Sequence, residues 1–213
     1  MKAVVLISGR GSNMESLLRA GLPVEFACVI SNRPDAGGLD VAVSLGVATA
    51  VVDHRRFDGR AAFDAALVAE IDRHAPDLVI LAGFMRVLTV DLVRRYEGRM
   101  INIHPALLPA FPGLHTHARA LAEGVRVHGC TVHFVTPEVD VGPIIVQAAV
   151  PVFQDDDEAR LSARVLEQEH RIFPLAVRWF AEGRLHLRAD GTVQVAGASD
   201  HPMALISPPP DQG

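Results

Sequence analysis

In the run Met100-Ile101-Asn102-Ile103-His104-Pro105, two polar side chains are spaced for shared chemistry. Apolar residues alternate with them, so a strand here puts Asn102 and His104 on one face near its C-terminal end, where Pro105 stops regular pairing. An asparagine amide offers a neutral N–H to a developing oxyanion, and a histidine offers a proton or a second donor near neutral pH. Such a pair suits a tetrahedral transition state, as in the transfer of an acyl group. Taken alone, Asn-x-His is weak, because a histidine at a strand end is more often structural.

A second candidate lies at the start of the chain, where Ser8-Gly9-Arg10-Gly11-Ser12-Asn13 follows an apolar run and precedes a helix. Glycines let the backbone turn tightly, and a helix N-terminus offers unpaired N–H groups to an anion. The loop fails the dinucleotide fingerprint: Met14 occupies the third glycine position, and Ser31-Asn32-Arg33 ends the next strand without the acid that binds a ribose diol. It also lacks the Gly-Lys-Ser/Thr of a Walker loop. Gly11, Ser12 and Asn13 are therefore read as a monophosphate site, against the plainer alternative of a strand-to-helix turn capped by Ser12.

Those residues need a scaffold, and the hydrophobic pattern supplies one. Ala3 to Ile7, Val24 to Ile30 and Leu78 to Ala82 are continuous apolar runs, as in strands buried on both faces. Between them, Gly38 to Leu45 and Phe57 to His74 carry apolar residues at helical spacing, with Phe57 or Asp58 marking the second start. The alternation predicts an α/β fold with a single open, mostly parallel, twisted sheet flanked by helices. Thr89 reads as a helix cap before Val90 to Tyr96, and Met100 to Ile103 as a strand; Pro105 to Gly113, with three prolines, reads as a loop. Further on come a helix from His115 to Glu123, strands at His128 to Val135 and Ile144 to Val152, and a long helix from about Asp156 to Glu182 that Pro174 should kink. Leu185 to Leu187 and Thr192 to Val195 flank Asp190-Gly191, a hairpin signal. One domain over 1–195 is expected, with 196–213 a flexible tail because it lacks a core pattern.

The run from Asn102 continues as Asn-Ile-His-Pro-Ala-Leu-Leu-Pro-Ala-Phe-Pro-Gly-Leu-His-Thr-His, and His-Gly-Cys-Thr-Val-His-Phe-Val-Thr-Pro-Glu-Val-Asp-Val-Gly-Pro follows from His128. Together with Ile7-Ser8-Gly9-x-Gly11-Ser12-Asn13, Leu81-Ala82-Gly83-Phe84-Met85-Arg86 and Gln168-Glu169-His170, these motifs resemble, in order, the folate-dependent formyltransferases. Within that family the likeness is to enzymes that formylate glycinamide ribonucleotide, and it spans roughly Val4 to Gly183.

The resemblance implies a Rossmann-like formyltransferase fold with an antiparallel C-terminal portion. It also implies a catalytic trio of Asn102, His104 and Asp140, in which the substrate amine attacks the formyl carbon of the co-substrate 10-formyltetrahydrofolate. Asn102 and protonated His104 would hold the oxyanion. A carboxylate beside an imidazole favours its charged form, so Asp140 is expected to support His104 and help move protons to the leaving amine. The likeness assigns Gly11, Ser12, Asn13 and Glu169 to phosphoribosylglycinamide. To the folate it assigns Arg60, the segment Met85, Arg86, Val87 and Leu88, Asn102, and the loop Thr136, Pro137, Glu138, Val139 and Asp140. Methionine and leucine can wall a flat pterin, and arginines suit glutamate carboxylates. Arg60 and Arg86 could instead be solvated charges, and Glu169 a member of an exposed helical pair. Val141 stands where close relatives often carry glycine and, with Pro137, should stiffen the loop.

Composition narrows the alternatives. The chain has 213 residues, 49% hydrophobic, with a formal charge of −5 and no dense basic run, which gives no footprint for nucleic acid or an anionic membrane. The opening apolar run is too short for a signal peptide or a span, so the cytoplasm is expected. Cys28 and Cys130 sit in strand-like stretches and read as reduced core residues. A methionyl-tRNA formyltransferase would normally add a basic C-terminal domain, and formyltetrahydrofolate hydrolase an N-terminal regulatory one; neither is seen. His115-x-His117 with His128 and His133 could suggest a metallohydrolase, but no His-Glu-x-x-His frame supports it and no metal is expected. A non-catalytic phosphate-ligand sensor would not need Asn102, His104 and Asp140 together. Small molecules are the expected partners, for a monomer or a homodimer.

Overall fold

The computed structural model describes residues 1–198 together with 205 and 207. The expected flexible tail over 196–213 therefore falls, apart from 196–198 and those two positions, outside the described residues.

In chain order the strands are β1 (Lys2–Ile7), β2 (Glu25–Ser31), β3 (Thr49–Val51), β4 (Leu78–Leu81), β5 (Met100–His104), β6 (Val127–Phe134) and β7 (Ile144–Pro151). The helices are α1 (Ser12–Arg19), α2 (Gly38–Ser44), α3 (Arg60–Asp72), α4 (Val90–Arg95), α5 (Thr116–Ala122) and α6 (Glu158–Ala181). The seven strands make one sheet in the order β3-β2-β1-β4-β5-β6-β7. Strands β1 to β5 run parallel, while β6 and β7 each pair antiparallel with their predecessor. A separate hairpin joins β8 (Leu185–Leu187) to β9 (Val193–Val195), as Asp190-Gly191 predicts.

The continuous apolar runs are explained by burial on both faces. Ala3, Val5 and Ile7 of β1 pack with Leu17 of α1 and Phe173 and Val177 of α6, whereas Val4 and Leu6 face Phe63 and Leu67 of α3. Each such valine, leucine, isoleucine or phenylalanine stabilises the fold by roughly 1.5–3 kcal/mol. On α6 the buried positions are Leu161, Val165, Glu169, Ile172, Phe173, Ala176 and Val177, one stripe at helical spacing with a single acid in it. The side chain of Asp157 caps α6 by accepting the Arg160 N–H at 2.8 Å. The helix remains continuous through Pro174, whose ring removes one N–H from the ladder.

Some boundaries differ from expectation. Helix α3 starts at Arg60 rather than at Phe57, because Asp53 caps a single 3-10 turn over His54–Arg56 and Gly59, at φ 101°, turns the chain into the helix. The edge strand β3 is new: three residues are too few to show a period. Thr89 caps α4 as read, accepting the Leu92 N–H at 3.4 Å. Both cysteines are free and buried, and burial pushes the Cys28 thiol up to about 11 and that of Cys130 to about 12. Neither is a thiolate nucleophile near neutral pH.

What positions the site is the reversal of strand order. The chain lays β2 and β3 on one side of β1, then returns to place β4 and β5 on the other, and a crevice opens at the C-terminal ends of strands where such a switch occurs.

Candidate active site

A cleft of about 630 Å³ lies at this end of the sheet. Asn102 and His104, alternate residues at the end of β5, both line it. Asp140 lines it from the loop between β6 and β7, which brings the three residues together.

His104 is buried between two oxygens. Its Nε2 lies 2.9 Å from the Phe111 carbonyl, and its Nδ1 lies 3.4 Å from Asp140 Oδ2. A doubly protonated ring has a donor for each acceptor. The same Asp140 oxygen accepts the Gly113 N–H at 2.8 Å. Asp140 itself has a left-handed backbone, φ 58°, which aspartate and asparagine tolerate better than most residues. Two residues on, Gly142 is required by space: an added Cβ would lie 1.8 Å from the Phe134 carbonyl oxygen. Val141 is 63% exposed and adds no positive φ, so it fits where glycine was expected.

Sequence reasoning did not assign His133 to the site. Antiparallel register sets it opposite Asn102, and Asn102 Nδ2 approaches His133 Nε2 to 3.1 Å. His133 Nδ1 lies 2.8 Å from the Phe134 carbonyl, so Nδ1 carries the proton and Nε2 accepts from Asn102. Burial pushes His133 below the usual histidine value, keeping the ring neutral and the acceptor open. This contact orients the carboxamide and leaves its second N–H for a ligand. The signal was available in the alternation of β6, but only the register reveals the partner.

Asn13 and Glu169 line the same cleft. Asn13 Nδ2 donates to Glu169 Oε2 at 2.7 Å, while Asn13 Oδ1 is buried without a partner. Burial pushes the Glu169 carboxyl above the ordinary carboxylate value, against the pull of the Asn13 hydrogen bond. Glu169 is thus a buried acid rather than one member of an exposed pair. Gly11 and Ser12 are not among the residues that line the cleft. Gly11 precedes α1 in a left-handed conformation, and no side chain caps the helix, so Ser12 is not its cap. Gly11 also packs on Gly38, whose Cα would sit 2.9 Å from an added Cβ.

On the side expected for the folate, Met85, Arg86, Val87 and Leu88 line one wall. Thr136, Pro137, Glu138 and Val139 also line the cleft. Met85 and Val139 are 62% and 52% exposed, an apolar surface without a protein partner. Arg60 is exposed at the start of α3 and is not part of the lining. Among the candidate metal-ligand histidines, the rings of His117 and His128 meet edge to face at 5.3 Å, and His115 precedes α5 with φ 56°. No group of three His, Cys, Asp or Glu able to hold a metal occurs among the described residues. None of the described helices is long and apolar enough to cross a membrane.

Known proteins resemble this chain in sequence and in fold. Residues 1–177 match the family profile described as formyl transferase. Phosphoribosylglycinamide formyltransferase of Escherichia coli is 51% identical over 191 residues, covering 88% of this chain and 90% of the relative. The human trifunctional purine biosynthetic protein adenosine-3 is 43% identical over 196 residues, which are 90% of this chain and 19% of that longer protein. Among solved structures, glycinamide ribonucleotide transformylase 1 of Symbiobacterium toebii superimposes with a TM-score of 0.89 at 48% identity, covering 92% of this chain and 93% of that one. The chain belongs to the formyl transferase family.

Proposed function

We propose that this enzyme transfers the formyl group of 10-formyltetrahydrofolate to the amine of N1-(5-phospho-D-ribosyl)glycinamide, a step of de novo purine synthesis, in the cytoplasm. The observation that carries the reading is the meeting of Asn102, His104 and Asp140 in one cleft that also holds Asn13 and Glu169. The E. coli relative, half identical over nearly its whole length, is named for this reaction.

The amine lone pair attacks the formyl carbon, and the carbonyl π pair moves onto oxygen as the new C–N bond forms. The free N–H of Asn102 donates to that oxyanion, and His104 Nε2–H joins it by turning from the Phe111 carbonyl, the acceptor it meets in this structure. Asp140, anchored by the Gly113 N–H, holds the imidazole in place and balances its charge. The tetrahedral species collapses by breaking the bond to N10 of the folate, which leaves as an amine with the proton given up by the attacking nitrogen. No protons or electrons beyond those of the two substrates are needed.

For the ribonucleotide, the Gly11-Ser12-Asn13 loop offers the uncapped first turn of α1 to the phosphate, and Glu169 turns its remaining oxygen to a donor on the substrate. For the folate, the apolar wall of Met85, Val87 and Leu88 suits a flat heterocycle, with Arg86 and, further out, Arg60 available to carboxylates. Thr136, Pro137, Glu138 and Val139 complete the folate side.

Mixing the purified protein with 10-formyltetrahydrofolate, with and without the ribonucleotide, tests the reading by absorbance. Deformylation only when the ribonucleotide is present supports transfer; deformylation without it indicates a hydrolase, and no change in either mixture rejects the reaction.

A further inference from the structure

The segment Gly83 to Leu88 crosses the cleft wall between β4 and α4 without a ladder to hold it. Among the described residues, no backbone–backbone hydrogen bond involves it. Phe84 and Leu88 pin its two ends in the core, but Met85 and Val87 between them are 62% and 50% exposed. Its polar fixed points, and one cation–π contact, come from three residues outside the lining of the cleft. Ser8, buried just past the end of β1, accepts the Met85 N–H at 2.7 Å and donates to Asn32 Oδ1 at 2.6 Å. Asp64, buried on α3, accepts the Thr89 N–H at 2.6 Å through Oδ2. Between them the Arg86 guanidinium lies over the ring of Phe63, 5.8 Å from its centroid.

Asp64 is the informative member. It occupies the inner face of α3 beside Phe63 and Leu67, and its Oδ1 has no hydrogen-bond partner. A buried carboxylate with one oxygen unpaired is a poor choice for stability alone, and violations of that kind gather at functional sites. Ser8 ties the same segment to the strand that leads into the Gly11 loop, so the two ligand-facing loops share one anchor.

We infer that Ser8 and Asp64 are positioning residues that hold Met85–Leu88 in the shape that receives the formyl donor. The inference rests on the assignment of that segment to the folate side. Neither residue is placed at the reacting atoms; Ser8 acts through the Met85 N–H within the segment, and Asp64 through the Thr89 N–H at its C-terminal edge.

The test is a steady-state comparison of the wild type with Asp64→Ala, Asp64→Asn and Ser8→Ala, together with melting temperatures and amide exchange. Asp64→Ala should raise KM for 10-formyltetrahydrofolate about tenfold or more, with kcat largely kept and KM for the ribonucleotide within about twofold. Asp64→Asn retains an acceptor for the Thr89 N–H and should restore most of the loss. Ser8→Ala should move the donor KM in the same direction, and exchange in ligand-free Asp64→Ala should quicken at Met85–Thr89. Unchanged donor KM with a lowered melting temperature and proportionally lower kcat would mean a merely structural role and overturn the inference. So would equal rises in both KM values, or unchanged exchange. A wild type that turns over neither mixture overturns the assigned reaction and the ligand named here, while the exchange result still decides whether the tie exists.

Discussion

His104 and Asp140 come from different layers of the cleft wall, a strand end and a loop, and meet with Nδ1 3.4 Å from Oδ2 while the Gly113 N–H fixes that oxygen at 2.8 Å. The contact joins the strand, the proline-rich loop and the β6–β7 loop through one carboxylate. Substituting Asp140 by alanine would also disturb a left-handed backbone, so Asp140→Asn is the cleaner variant. It should lower kcat by on the order of a hundredfold or more, with a melting temperature close to wild type. Turnover assays beside thermal melts check this, and near-normal kcat contradicts it.

Asn102→Ala should also lower kcat by on the order of a hundredfold, the usual loss for one oxyanion donor. It leaves His133 Nε2 without its donor, so a small loss of stability accompanies it. His133→Leu removes the acceptor that orients Asn102 and should lower kcat by less. A kcat for His133→Leu below that of Asn102→Ala would be the wrong order.

Glu169→Gln keeps an acceptor for Asn13 but removes a buried charge. Because the folded carboxyl is raised, Glu169 stabilises the fold least above its folded value, where it must ionise in an apolar setting. The variant should melt at or above the wild-type temperature at neutral pH while KM for the ribonucleotide rises. A lower melting temperature with unchanged KM rejects the trade between binding and stability.

Acid should destabilise the protein through buried histidines. Burial lowers His128 from 6.5 to about 4, with His117 and His104 adding repulsion, and lowers His133 as well. Between those values the unfolded chain binds protons that the folded chain refuses, so stability falls as pH falls through that window. Melting temperatures taken across it should drop, and His128→Phe should flatten the slope. An unchanged slope in that variant would assign the acid sensitivity elsewhere.

Much of this site could be read from sequence because its elements are local. Asn102 and His104 share a strand face by alternation, and continuous apolar runs announce a sheet covered on both sides. Glu169 came from the family likeness alone, and the structure adds that it is the one acid in the inward stripe of α6. The remainder depends on register and loops. His133 joins Asn102 only through antiparallel pairing, and Ser8 and Asp64 reach Met85 and Thr89 through tertiary contacts that no spacing encodes. Arg60, carried over from the family motif, is exposed outside the cleft lining. The fine boundaries of α3 escaped because Gly59 and the Asp53-capped turn, rather than the apolar period, decide where it begins.

The most direct measurement follows the formyl carbon itself. With donor labelled with carbon-13 at the formyl group, unlabelled ribonucleotide and catalytic protein, carbon NMR should show the label passing into the amide of the N-formyl ribonucleotide, and His104→Ala should suppress that signal. Label appearing as free formate, or remaining on the folate, would contradict the transfer.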